Sequence, residues 1–173
     1  MTDAPRFTRR QVAAAGLLAG GVGLGVTALR VGSWWQKDVG EGLECLAGCE
    51  VDLVDAFAEA LFPAGGTPAL SGADAGVSAW MDAHLATLPE DTASQLRLLM
   101  NALDDWARVT QGSRFADLPV EVRSAKLEGW MTHDNHLVRG AISGLTIFVS
   151  MAYCLHPDVK KACGWIWPCG MGK

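Results

Sequence analysis

From residue 51 to residue 155, apolar side chains return at three- and four-residue steps, broken only by stretches bearing proline or glycine. That spacing lines them along one side of a helix, and no stretch alternates at the two-residue period of a half-buried strand. Leu53, Phe57 and Leu61 mark the first helix, which Phe62-Pro63-Ala64-Gly65-Gly66 stops. A second is expected from about Ser71, a good N-cap, through Val77, Trp80, Met81 and Leu85, until Leu88-Pro89 breaks it. A third covers about residues 91–109, with Leu96, Leu99, Met100, Leu103 and Trp106 in one stripe. Pro119 suits the first turn of a fourth, which carries Val122, Leu127, Trp130 and Met131 and ends near His133. The fifth, about residues 135–155, is the most apolar and holds Leu145, Ile147, Phe148, Val149, Met151 and Tyr153. Arg139, Ser143, Thr146 and Ser150 argue against a membrane span, so it is expected to be the buried central helix. The fold class is therefore all-α: a single compact bundle of about five helices, set behind an N-terminal signal segment.

The arginine pair Arg9-Arg10 precedes a run without charge over residues 11–29. A basic head followed by a moderately apolar segment diluted with glycine and alanine is the layout of a twin-arginine export signal. The other reading is a retained membrane anchor. Residues 12–29 barely reach the length that crosses about 30 Å of hydrocarbon, and glycines at 16, 20, 21, 23 and 25 make them a poor helix. Small residues Val26 and Ala28 allow cleavage after Ala28. The expected organisation is a signal over 1–28, a glycine-rich linker over 29–49 and the helical domain over 50–173. Without its first 28 residues the chain keeps 145, enough for one core, with 11 basic and 18 acidic side chains. Scattered, outnumbered cations of this kind exclude a nucleic-acid binder.

Five cysteines, Cys45, Cys49, Cys154, Cys163 and Cys169, suit an oxidising compartment and are the disulfide candidates. Four could pair internally, leaving one for a free thiol or an intermolecular bond. The three-residue gap between Cys45 and Cys49 is too loose for a thioredoxin-type pair, and no haem-attachment motif exists. A phosphate loop, a nucleophile elbow and a zinc-protease helix are also missing. His133-Asp134-Asn135-His136 reads as a helix–helix turn with capping residues rather than a metal site. Asp104-Asp105 points its carboxylates about 100° apart, which makes a solvated face the default. A stand-alone periplasmic redox or metal-binding protein using the C-terminal cysteines is the alternative to the function inferred next.

Three stretches carry a family likeness. Residues 153–165, Tyr153-Cys154-Leu155-His156-Pro157-Asp158-Val159-Lys160-Lys161-Ala162-Cys163-Gly164-Trp165, resemble the end of the gluconate 2-dehydrogenase subunit 3 family. Leu61-Phe62-Pro63-Ala64, followed by Thr67-Pro68 and Gly76-Val77, is similar to its segment after the first helix. The frame of Phe115, Leu118, Pro119, Arg123 and Leu127 resembles its central pattern. Cys154 stands where that family tends to have a second tyrosine, and the tail Trp165-Ile166-Trp167-Pro168-Cys169 is unusually rich in tryptophan.

The resemblance implies a small non-catalytic subunit with no cofactor of its own. Its expected partner is a large FAD-dependent dehydrogenase subunit of the glucose–methanol–choline type, which would hold the FAD. A cytochrome c subunit would be a further member of the complex. The signal, through Arg9 and Arg10, would engage the twin-arginine translocase and carry both subunits to the periplasm, where the complex stays with the membrane. Tyr153, Trp165, Ile166 and Trp167 are the expected partner-facing anchors.

Overall fold

The computed structural model describes residues 37–164. Six α-helices follow in order: α1 (Gly48–Leu61), α2 (Val77–Ala86), α3 (Glu90–Gln111), α4 (Val120–Met131), α5 (His136–Leu155) and α6 (Pro157–Ala162). A 3-10 turn, Phe115–Asp117, stands between α3 and α4, and there is no strand among the described residues. The all-α bundle read from the periodicity is the architecture found.

The centre is α1, not α5. Helix α1 packs against α2, α3, α4, α5 and the 3-10 turn. Leu53, Val54, Phe57 and Ala58 on α1 are essentially inaccessible to water. Burial of a Leu, Val or Phe side chain contributes about 1.5–3 kcal/mol, so this one helix organises much of the core. By contrast, α5 buries one face only, through Ile142, Leu145, Val149, Ala152 and Tyr153, and leaves Leu137, Ile147, Met151 and Leu155 in water. Apolar content alone does not distinguish a central helix from a flanking one.

Helix α1 begins without a capping hydroxyl. Ala47 occupies the N-cap, and Glu50, three residues on, accepts its N–H at 2.9 Å. The same buried carboxylate accepts from Arg97 Nε at 2.8 Å and Asn101 Nδ2 at 2.6 Å, joining α1 to α3. The described part of the preceding segment is irregular but docked: Leu46 is fully buried, and the N–H groups of Glu44, Cys45 and Leu46 converge on the Asp82 carboxylate of α2 at 2.7–2.9 Å. Burial works to raise the Asp82 carboxyl, but those three N–H donors, helped by the Arg97 charge, hold it below the usual carboxylate range. A carboxylate depressed in the folded state stabilises above its unfolded pKa of about 4 and loses that contribution as pH falls through the folded value. Asp82→Asn is therefore expected to lower stability at pH 7 and to flatten its decline between pH 4 and 3. Urea titrations at those three pH values check this, and parallel declines in wild type and variant would refute it.

The second helix starts later than Ser71. Ser71 Oγ donates to Asp74 Oδ2 at 2.7 Å and accepts from Asp74 N–H, which closes a turn instead of capping a helix. Gly76, with φ +66°, then sets the chain in the left-handed region just before α2. Gly72 makes the tight approach in this loop: a Cβ there would lie 2.1 Å from Ala58 O on α1. Tyr153 of α5 closes the loop from the other side. Its ring stacks on Phe62 with centroids 4.0 Å apart, and its hydroxyl donates to Leu70 O at 2.7 Å. A short helix that the periodicity misses, α6, has Pro157 in its first turn and His156 Nδ1 accepting from Asp158 N–H.

Candidate partner interface

The residues of the Phe115–Arg123–Leu127 frame fasten α4 and the 3-10 turn to α1. Phe115 is fully buried, its ring 6.2 Å from Phe57 and 5.6 Å from Trp130. Its N–H donates to Asp104 Oδ1 at 3.0 Å, and Asp104 Oδ2 accepts from Arg108 and Arg114 at 3.1 and 3.3 Å. Asp104 is thus a buried junction and not part of a solvated face. Arg114 goes on to donate to Cys49 O at 2.9 Å. Arg123 donates to Ala56 O at 3.0 Å and pairs with Glu59, while Ser124 Oγ donates to Ala60 O at 2.9 Å. The bonds from Arg123 and Ser124 fix the angle at which α4 lies against α1.

That angle builds an aromatic column from core to surface. Phe57 and Phe115 lie inside, Trp130 is 6% exposed, and Trp106 of α3 emerges at 37%. The Trp106 ring stands 6.3 Å from Trp130 and meets His133 edge-on at 5.9 Å, within the range of favourable aromatic pairs. Lys126 Nζ lies 5.5 Å from the Trp130 ring centroid and donates to Thr110 Oγ1 at 3.0 Å. Burial pulls the Lys126 ammonium below its ordinary pKa, and the tryptophan face offsets part of that cost. Val109, one turn beyond Trp106, is 85% exposed, and Val122, one turn before Lys126, is also open to water. Aromatic, aliphatic and cationic groups thus meet along the α3–α4 edge, held from beneath by a rigid stack. Tryptophan is among the residues enriched at protein–protein hot spots.

The apolar spacing puts Trp106 in the core stripe of α3, whereas the structure leaves it 37% exposed. Its position at the C-terminal end of that stripe, followed by Val109, is the available signal. Tyr153, expected at a partner surface, is 4% exposed and spends its ring and hydroxyl on the loop after α1. Burial raises its phenol pKa, with smaller contributions from the nearby Cys163 and Cys154.

Cys45, Cys49, Cys154 and Cys163 are free thiols, so the expected internal pairing is not formed among these four. Cys45 is half-buried against the core, and burial raises its thiol pKa, which makes it a weak nucleophile. Among the described residues, no three His, Cys, Asp or Glu side chains gather as a metal-binding group. His133 and Asn135 form the turn before α5: Asn135 Oδ1 accepts from Leu137 N–H at 2.9 Å, and His133 Nδ1 accepts from Asn135 N–H at 3.0 Å. Arg9, Arg10, Trp165, Ile166, Trp167 and Cys169 lie outside the described residues.

A family model described as "Gluconate 2-dehydrogenase subunit 3" matches residues 49–152, well over half of the chain. The match begins in the first turn of α1 and ends within α5, so it takes in both the helix-stop segment after α1 and the Phe115–Leu127 frame. The stretch 153–165 lies beyond it. No curated protein and no solved structure matches the chain.

Proposed function

The chain belongs to the gluconate 2-dehydrogenase subunit 3 family, and from that premise we propose that it is the export escort and stabiliser of a larger catalytic subunit. Membership makes it an accessory subunit of a dehydrogenase complex. The finer reading is that its partner is a flavin-dependent dehydrogenase of the glucose–methanol–choline type, that FAD resides in that partner, and that this chain contributes no catalytic group. Arg9 and Arg10 would deliver both subunits through the twin-arginine translocase to the periplasm, where electrons would leave through the large subunit's own centres or a separate cytochrome c subunit.

The observation that supports docking is the Trp106 edge. A tryptophan partly in water over a buried aromatic stack, with Val109 almost wholly exposed beside it, presents a rigid anchor with little entropy left to lose on binding. Trp106→Ala is expected to weaken association with the large subunit by roughly thirty-fold, about 2 kcal/mol, while the isolated chain keeps its helical content. Affinity purification from the cell envelope, with mass spectrometry and an absorbance spectrum, measures this. Wild type should bring down a stoichiometric flavoprotein with its flavin band. Undiminished recovery with the Trp106 variant would remove this edge from the interface. A chain recovered alone with bound iron or zinc would replace the escort reading by one based on Cys154, Cys163 and Cys169. Arg9→Lys with Arg10→Lys is expected to remove both subunits from the periplasm.

A further inference from the structure

Helix α5 carries a second uncovered surface of different chemistry. Leu137, Ile147, Met151 and Leu155 are 69, 60, 49 and 46% exposed. With the exposed Gly140 and Ser143 they follow helical spacing along one side. From Leu137 to Leu155 the surface runs about 27 Å, at about 1.5 Å per residue. No charged residue falls between Arg139 and Asp158. The helix is long and apolar enough to cross a membrane by composition, yet Ile142, Leu145, Val149 and Tyr153 on its inner side are core residues. It cannot span a bilayer without tearing the bundle open, but it can lie on one.

Charge separates the two parts of the described chain. Residues 37–135 hold 6 basic and 17 acidic side chains, whereas residues 136–164 hold 3 basic and 1 acidic. Of the three cations, Arg139 lies in the first turn of α5 and Lys160 and Lys161 lie on α6, just past its C-terminal end, with Asp134 and Asp158 the acidic residues nearest in sequence. Arg139 donates to the carbonyls of His133 and Asp134, which orient its guanidinium without neutralising it.

We propose that the outer face of α5 rests on the surface of an anionic membrane, with Ile147, Met151 and Leu155 entering the acyl boundary and Arg139, Lys160 and Lys161 meeting the headgroups. The acidic remainder of the molecule is repelled by such a surface, which fixes the side that faces it. A protein partner fits this face less well. Protein interfaces carry about one hydrogen bond per 100–200 Å², and between Gly140 and Leu155 Ser143 is the only exposed side chain able to make one. The Trp106 edge, with its indole, imidazole and ammonium, has the mixed character that this face lacks. The proposal does not depend on the identity of the large subunit.

The test is sedimentation of the full chain with vesicles of phosphatidylcholine alone or of phosphatidylcholine with one quarter phosphatidylglycerol. The N-terminal apolar run is common to every variant, so differences report on α5. Ile147→Asp with Met151→Asp should lower partition into the anionic vesicles at least tenfold, whereas Ile147→Leu with Met151→Leu should leave it unchanged. Arg139→Gln, Lys160→Gln and Lys161→Gln together should remove the preference for anionic vesicles. If the aspartate variant does not fold, as judged by its melting transition, Ile147→Ser with Met151→Ser is read instead, with at least a threefold loss expected. Partition unchanged by these polar substitutions overturns the proposal. So does the pattern in which the α5 variants keep their lipid partition and release the large subunit, which would make the face a protein dock and leave the escort reading standing.

Discussion

Replacing Gly72 with alanine is expected to cost about 3 kcal/mol and to lower the melting midpoint by roughly 10 °C. The methyl group would arrive 2.1 Å from the carbonyl oxygen and 2.3 Å from the carbonyl carbon of Ala58. Both are backbone atoms of a buried helix, so no rotamer change relieves the overlap. The loop cannot retreat cheaply either, because Gly72 N–H donates to Phe62 O at 2.8 Å and Leu70 O is held by Tyr153. Gly129→Ala is the matched control. Nothing lies within 4 Å of a Cβ at Gly129, in the last turn of α4, and alanine there should stabilise by up to about 1 kcal/mol through helix propensity. Thermal and urea denaturation of the two variants decide the matter: a Gly72 variant within 1 kcal/mol of wild type would mean that the loop is not held against α1 as described.

Glu50→Ala should have an effect of similar size for an electrostatic reason. The carboxylate is 1% exposed and accepts from Ala47 N–H, Arg97 Nε and Asn101 Nδ2. Removing it takes away the cap of α1 and the anion facing a partly buried guanidinium, expected to cost about 3 kcal/mol. Asp52→Ala, by contrast, removes a carboxylate whose side chain is 58% exposed and 3.3 Å from Arg114 Nη1. Solvent screens that pair, so a loss below about 1 kcal/mol is expected. Equal losses at the two positions, measured by urea denaturation, would contradict the assignment of Glu50 as the junction between α1 and α3.

The contrast between these two acids shows where sequence reading reached its limit. Apolar periodicity located α1, α3, α4 and α5 because burial of a stripe follows directly from 3.6 residues per turn. The angle between Asp104 and Asp105 does not reveal the burial of Asp104, because two of the partners that bury it, Arg114 and the Phe115 N–H, lie beyond the helix that carries it. Ser71 was a reasonable cap by residue type, but Asp74 competes for its hydroxyl and keeps the backbone in a turn. Helix α5 reads as central because it is the most apolar, although only one of its faces meets the core. The interface fared similarly. The aromatic residues were visible, but whether Trp106 or Tyr153 reaches water depends on which elements cover each of them. The α6 signals, Pro157 at the start and Lys160-Lys161 at the end, were present in the sequence and are weak only because the helix is six residues long.

Helix α1 emerges early during synthesis but acquires its polar partners late. Its Glu50 waits for Arg97 and Asn101, 47 and 51 residues downstream. The carbonyls of Cys49, Ala56 and Ala60 wait for Arg114, Arg123 and Ser124, which follow by 64 to 67 residues. A ribosome must therefore have made the chain as far as α4 before its first helix has these partners. Until then, a nascent chain would present that helix's apolar side to whatever chaperone is nearest.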